Sequence, residues 1–132
     1  MSNVGTVIYG LLSTDTNLAS EIGTKIYPNM APQGKDKPRG SYIVYNTMVS
    51  SRTQTQGNVG RYYKVAVSVY SSSYKRSTEI SDFVIQRLHR FGGASVGSQR
   101  VTAIFYQEEA DDVIDDPQLH HKASEFEVIL PD

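Results

Sequence analysis

The densest set of chemically capable side chains runs from Gln107 to Gln118. It holds Glu108, Glu109, Asp111, Asp112, Asp115 and Asp116, with His120 and His121 close behind. Carboxylate oxygens in such a run are the ligand type that Mg²⁺ and Ca²⁺ take. The spacing is not that of an EF-hand loop: it lacks the central glycine and the closing bidentate glutamate. His120 and His121 are neighbours, so on an extended segment they point to opposite faces and chelate one ion poorly. With His89 they are the only histidines. No nucleophile elbow supports a serine-histidine-acid triad. There is no phosphate-binding glycine loop or dinucleotide fingerprint, and Gly92-Gly93 closes a helix, whereas anions gather at helix starts. The residues by themselves favour a solvated, charge-repelling loop, and no catalytic residue, metal ligand or cofactor is assigned.

Basic residues are scattered. Lys35, Lys37 and Arg39 share one segment, Arg52 and Arg61 flank another, and Lys75 and Arg76 sit at a helix start. The last two oppose the helix dipole, so a partner carboxylate there is one reading and a solvated surface the other. The formal net charge is -1 and the pI about 6.3, which gives no overall attraction to nucleic acid or an anionic membrane. The stretch Ser51 to Gly60 carries Arg52, Thr53, Gln54, Thr55 and Gln56. It is longer than a tight turn needs. Its side chains can hydrogen-bond but cannot drive collapse, so it suits ordering on a partner as well as a tolerated loop.

The 132 residues are 39% hydrophobic and 20% charged, which is the balance of a folded domain able to bury a core. One domain spanning residues 1–132 is expected. The absence of cysteine excludes disulfides, thiol catalysis and cysteine-held metals. No apolar run approaches the roughly 20 residues that cross a bilayer, and Met1 to Leu12 lacks the layout of a signal peptide. A soluble protein made in a cytoplasm is expected. Nine tyrosines stand against four phenylalanines and no tryptophan. Tyrosine is enriched at interfaces and is also a good strand former.

The elements follow from periodicity. Val4, Val7, Ile8, Leu11 and Leu12 repeat at helical spacing, with Ser2 or Asn3 as cap. Asp15 can cap a short helix carrying Leu18 and Ile22, which Gly23 stops. Lys25-Ile26-Tyr27 reads as extended, and Pro28 to Gly40 as a loop dense in proline and glycine. Tyr42 to Val49 reads as a strand. Arg61 to Ser71 alternates, with Tyr63, Val65, Val67 and Val69 on one face and Lys64, Ala66, Ser68 and Tyr70 on the other. Ser73 can cap a main helix to about Phe91, with a stripe of Ile80, Phe83, Val84, Leu88 and Phe91. Strands at Val101 to Tyr106 and Ala123 to Leu130 enclose the acidic stretch. The fold class is α+β: a mostly antiparallel sheet of two strand pairs, covered on one side by the N-terminal helix and the long central helix.

In this order the residues resemble the tail completion family of long-tailed bacteriophages, which includes the tail terminator and tail-to-head joining proteins. The likeness runs through the N-terminal helix, Leu18 to Gly23, Lys25-Ile26-Tyr27, Ala31-Pro32-Gln33-Gly34, Tyr42-Ile43-Val44-Tyr45, Ser50-Ser51-Arg52 and Val65 to Ser71. It continues through Glu79, Ile80 and Leu88 and ends in Asp116-Pro117-Gln118-Leu119-His120-His121. Arg39-Gly40-Ser41 departs from the proline that often precedes the tyrosine strand, and Tyr70 stands where tryptophan is common.

The resemblance implies a non-enzymatic virion part, assembled in the host cytoplasm. Its copies form a ring, usually of six, on the head-proximal end of the tail tube. The ring stops tube polymerisation and meets the head connector, and DNA passes through its lumen without sequence-specific contact. Under this reading the candidate partner contacts are Arg52, Thr53, Gln54, Thr55, Gln56 and Arg61, and Lys35, Lys37 and Arg39. Asp111, Asp112, Asp115 and Asp116 would lie toward the lumen or the connector. Three other readings compete: a head-completion or neck protein, a metal-dependent hydrolase using the acidic stretch, and a small cellular binding module.

Overall fold

The computed structural model describes residues 4–29, 40–47, 51–52, 61–115 and 118–131, with the backbone alone described at 51, 52, 61, 110–115, 118 and 119. Helix α1 (Val4–Ser13) buries all five of its periodic apolar residues. The Asp15 carboxylate accepts from the N–H groups of Asn17 and Leu18 and so starts α2 (Thr16–Ile22). Gly23, at φ 63°, ends it.

The segment expected to be merely extended forms strand β1 (Ile26–Pro28), which runs parallel to β2 (Tyr42–Thr47). The short strand β3 (Ser51–Arg52) and β2 both pair antiparallel with the long β4 (Arg61–Ser71). Helix α3 (Tyr74–Leu88) is capped by the Ser73 hydroxyl, which accepts from the Arg76 N–H. It stops three residues earlier than periodicity suggests, because His89 leaves the helical region and Arg90 takes a positive φ of 67°.

A small ribbon of β5 (Ala94–Val96) and β6 (Gln99–Val101) follows, and it was not anticipated. The chain then forms β7 (Ala103–Asp115) and β8 (Gln118–Leu130). This corrects the acidic loop: residues 107–115 belong to a strand. Aspartate and glutamate are poor strand formers by propensity, but β7 lies at the sheet edge, where charge is tolerated, and pairs with β8 along its length.

The sheet order is β1-β2-β4-β8-β7, with β3 beside β4. It confirms an α+β fold, with one mixed six-stranded sheet in place of two separate strand pairs. The alternation expected of β4 and β8 is observed. Val65, Val67, Phe126 and Val128 are fully buried against α1, α2 and α3, and Ile43, Tyr45, Tyr63, Val69 and Leu130 share that face. Two small residues on α3, Ser77 and Ser81, are also buried on its sheet-facing stripe.

Arginines tie the helices together. The Arg87 Nε donates to the Leu11 carbonyl at 2.8 Å and its NH2 group to Thr14 Oγ1 at 2.9 Å, which satisfies the end of α1. Arg76, which opposes its own helix dipole, has its NH2 group 3.0 Å from Glu21 Oε1 on α2. That is the partner carboxylate the sequence suggested, supplied from within the chain. Gly10 lets α1 approach β5: a Cβ there would lie 2.6 Å from Val96 Cγ1.

Candidate functional site

The sheet offers two distinctive surfaces, the outer edge of β7 and the face turned away from the helices. The start of β7 is closed. The Arg90 main-chain N–H donates to the Ile104 carbonyl at 2.7 Å. The Tyr106 main-chain N–H donates to His89 Nδ1 at 2.9 Å. The sharp turn that ends α3 therefore covers the outward backbone groups of the first third of the strand. A register shift between Tyr106 and Glu108 comes next. Beyond it, among the described residues, no strand pairs with the outer side of β7. By antiparallel alternation the backbone groups of residues 109, 111, 113 and 115 point outward there.

A polar cluster fastens this half of β7 to α3. The Ser81 hydroxyl donates to Glu109 Oε2 at 2.6 Å, and Lys122 Nζ lies 3.6 Å from Glu109 Oε1. Ser124 Oγ is 3.3 Å from Ser81 Oγ. Lys122 is buried, with its ammonium 5.4 Å from the ring centroid of the exposed Tyr74. His120 meets Tyr74 edge-on. Glu109 thus has a structural task, neutralising a buried lysine.

The opposite face carries a row of rings. Tyr42 stacks on Tyr70 at 4.9 Å, and Tyr70 on His121 at 4.6 Å, while Tyr27 meets Tyr42 edge-on. The rings sit side by side because Tyr42, Tyr70 and His121 are direct neighbours in register across β2, β4 and β8. Burial, followed by the neighbouring phenols Tyr70 and Tyr27, pushes the Tyr42 hydroxyl above its usual range. Burial does the same to Tyr70, against a lowering hydrogen bond with Ser68. Along the same face Glu108 opposes Glu125, and Lys64 opposes Glu127. Rings could stack nucleobases, but the carboxylates around them repel phosphate, so the face is poorly suited to nucleic acid.

The adjacent histidines separate as alternation requires: His120 lies beside Tyr74 of α3 and His121 on the ring row. Among the described residues no group of three histidines or acids is arranged to hold a metal ion. Asp111, Asp112 and Asp115 fall on β7, opposite Lys122, His121 and Gln118. Arg52 and Arg61 pair with each other in register at the far end of β4, so the structure does not bring them to the acidic stretch. Lys35, Lys37, Arg39, Thr53, Gln54, Thr55, Gln56 and Asp116 lie outside the described residues. Sequence reasoning did not single out the Ser81–Glu109–Lys122 cluster or the His89–Arg90 closure. A pair of serines four apart on the apolar stripe of α3 was the one available sign of the cluster.

A family model described as tail completion protein gp17 matches residues 6–130. The chain belongs to this tail completion family. Among solved structures, a chain in one titled "Virion of native gene transfer agent (GTA) particle" is similar to this tail completion protein, with a TM-score of 0.76 and 15% identity. The match covers 95% of this chain and 92% of that one. At that identity the likeness concerns the fold. No curated protein matches the chain.

Proposed function

We propose that this tail completion protein is a structural, non-enzymatic component of a phage-like virion. Its copies assemble into a ring, of six in our reading, at the head-proximal end of the tail tube. There the ring ends tube polymerisation and joins the tail to the head connector. Residues 1–132 act as one domain, and the protein assembles in the host cytoplasm. The family match over residues 6–130 carries the reading, and the fold it shares with a virion chain supports it. The polar cluster beneath β7 further supports a structural role, since Ser81, Glu109 and Lys122 hold β7 to α3.

In such a ring the carboxylates Glu108 and Glu125 would suit a lumen through which DNA slides, because they repel its phosphates. Binding energy would come from interface burial repeated by symmetry.

Electron microscopy of the purified protein, alone and with tail tubes, tests the reading. Rings capping one tube end are expected. A protein that forms no rings, caps no tubes and is absent from purified particles would refute it. Rings bound to the connector and never to the tube would favour the neck position instead.

A further inference from the structure

The turn after α3 aims one imidazole at the start of β7. His89 leaves the helix with a ψ of 127°, while its own main-chain N–H still donates to the Ile85 carbonyl at 2.8 Å. Arg90 then takes a positive φ and donates its main-chain N–H to the Ile104 carbonyl. The His89 ring is left beside β7, edge-on to Phe105 at 6.5 Å and to Tyr106 at 6.4 Å. Its Nδ1 accepts the Tyr106 main-chain N–H at 2.9 Å.

That bond fixes the chemistry of the ring. A peptide N–H only donates, so Nδ1 must present a bare lone pair and the single proton of the neutral ring must sit on Nε2. Histidine is the side chain suited to taking up a second proton in mild acid, and in the imidazolium both nitrogens carry hydrogen. Two N–H groups would then face each other across the same 2.9 Å, so the contact has to open. The adjacent Arg90–Ile104 bond joins two main-chain groups that do not titrate, and it holds the turn while the ring leaves.

Charged groups surround the contact on both elements. On α3 stand Asp82, two helical turns before His89, and Arg87, whose guanidinium is engaged on Leu11 and Thr14. Arg90 follows in the turn. On β7 stand the Tyr106 phenol, Glu108 and Glu109. Glu109, Lys122 of β8, Glu108 and Asp82 all act on that phenol. Glu109 is itself held by Ser81 and Lys122.

The bond guards a particular stretch of backbone. Ala103-Ile104-Phe105-Tyr106 is an uncharged, strand-favouring run on the last strand of the sheet order, and Phe105 is 39% exposed. Backbone donors on such a run invite pairing with another strand.

We propose that His89 is an acid-released latch on the start of β7. Neutral, its ring occupies the Tyr106 amide; protonated, it lets that amide go. The protection is therefore present at neutral pH and above and is lost as the pH falls.

Hydrogen exchange and nitrogen NMR of the imidazole, both on the full chain, test the latch. At about pH 7.5 the His89 ring should show a bare Nδ1 and a protonated Nε2. Between about pH 7.5 and about pH 5 the Tyr106 amide, corrected for its intrinsic exchange rate, should lose about tenfold in protection, in step with protonation of the ring. The amides of β4 should keep theirs. His89→Gln offers an acceptor oxygen that does not titrate and retains His120 and His121 on β8, so its Tyr106 protection should stay constant over the same range. A neutral ring with its proton on Nδ1 would overturn the latch. So would Tyr106 protection that is equal at both pH values in the parent, that falls equally in His89→Gln, or that falls together with the β4 amides.

Discussion

The main-chain N–H of Tyr106 donates to His89 Nδ1 across 2.9 Å. A side chain thereby occupies the place of a neighbouring strand at the start of β7. His89→Ala leaves that amide without its partner and should destabilise the protein by about 1–2 kcal/mol. Denaturant unfolding measures the loss. Hydrogen exchange localises it: the Tyr106 amide should exchange far faster in the variant, with the amides of β4 little changed.

The Glu109 cluster predicts a pronounced asymmetry. Glu109→Ala leaves buried Lys122 short of its carboxylate and should cost about 1–3 kcal/mol. Adding Lys122→Met to that variant should recover most of the loss, because an apolar side chain of similar length needs no countercharge. A double-mutant cycle by urea denaturation checks this, and additive losses would contradict it.

Two glycines are fixed by close approach. At Gly92 a Cβ would collide with the backbone of Thr102 and Ala103, which cannot step aside, so Gly92→Ala should destabilise by more than about 2 kcal/mol. At Gly10 the obstacle is the Val96 side chain. Gly10→Ala should therefore cost about 1–3 kcal/mol, and Val96→Ala in the same protein should relieve much of it. Thermal melts of the four proteins distinguish backbone from side-chain conflict.

The tyrosine row sets a response to alkali. Burial raises the Tyr42 and Tyr70 hydroxyls above the ordinary tyrosine value of 10.0 in the folded protein. The unfolded chain therefore loses these protons first as pH rises. The stability they contribute is complete below about pH 10 and is lost as pH climbs through the folded-state values. Tyr42→Phe/Tyr70→Phe should flatten the decline seen by denaturant unfolding from pH 9 to 11.

Periodicity in the sequence marks most of the core. The five apolar residues of α1 and the alternation of Tyr63 to Val69 each leave one buried face, and burial is what periodicity reports. The strand at residues 107–115 stayed hidden, because acidic residues carry no strand signal and pairing with β8 decides their conformation. Three residues such as Ile26–Pro28 cannot announce a parallel partner seventeen positions away. The candidate surface was legible as composition, a run of acids. Which of its backbone groups point outward depends on register, and the closure by His89 depends on a turn that no local rule specifies.

The sheet order places β8 between β4 and β7, although it is the last strand in the sequence. During synthesis β4 must wait for more than half of the remaining chain before its inner edge is covered. Residues 61–71 therefore emerge from the ribosome as an unfinished edge, rich in valine and tyrosine. A translational pause or a frameshift upstream of residue 118 would leave that edge bare. The sheet is complete only after β8 has entered its middle, so whatever depends on a finished sheet must wait for residues 118–130.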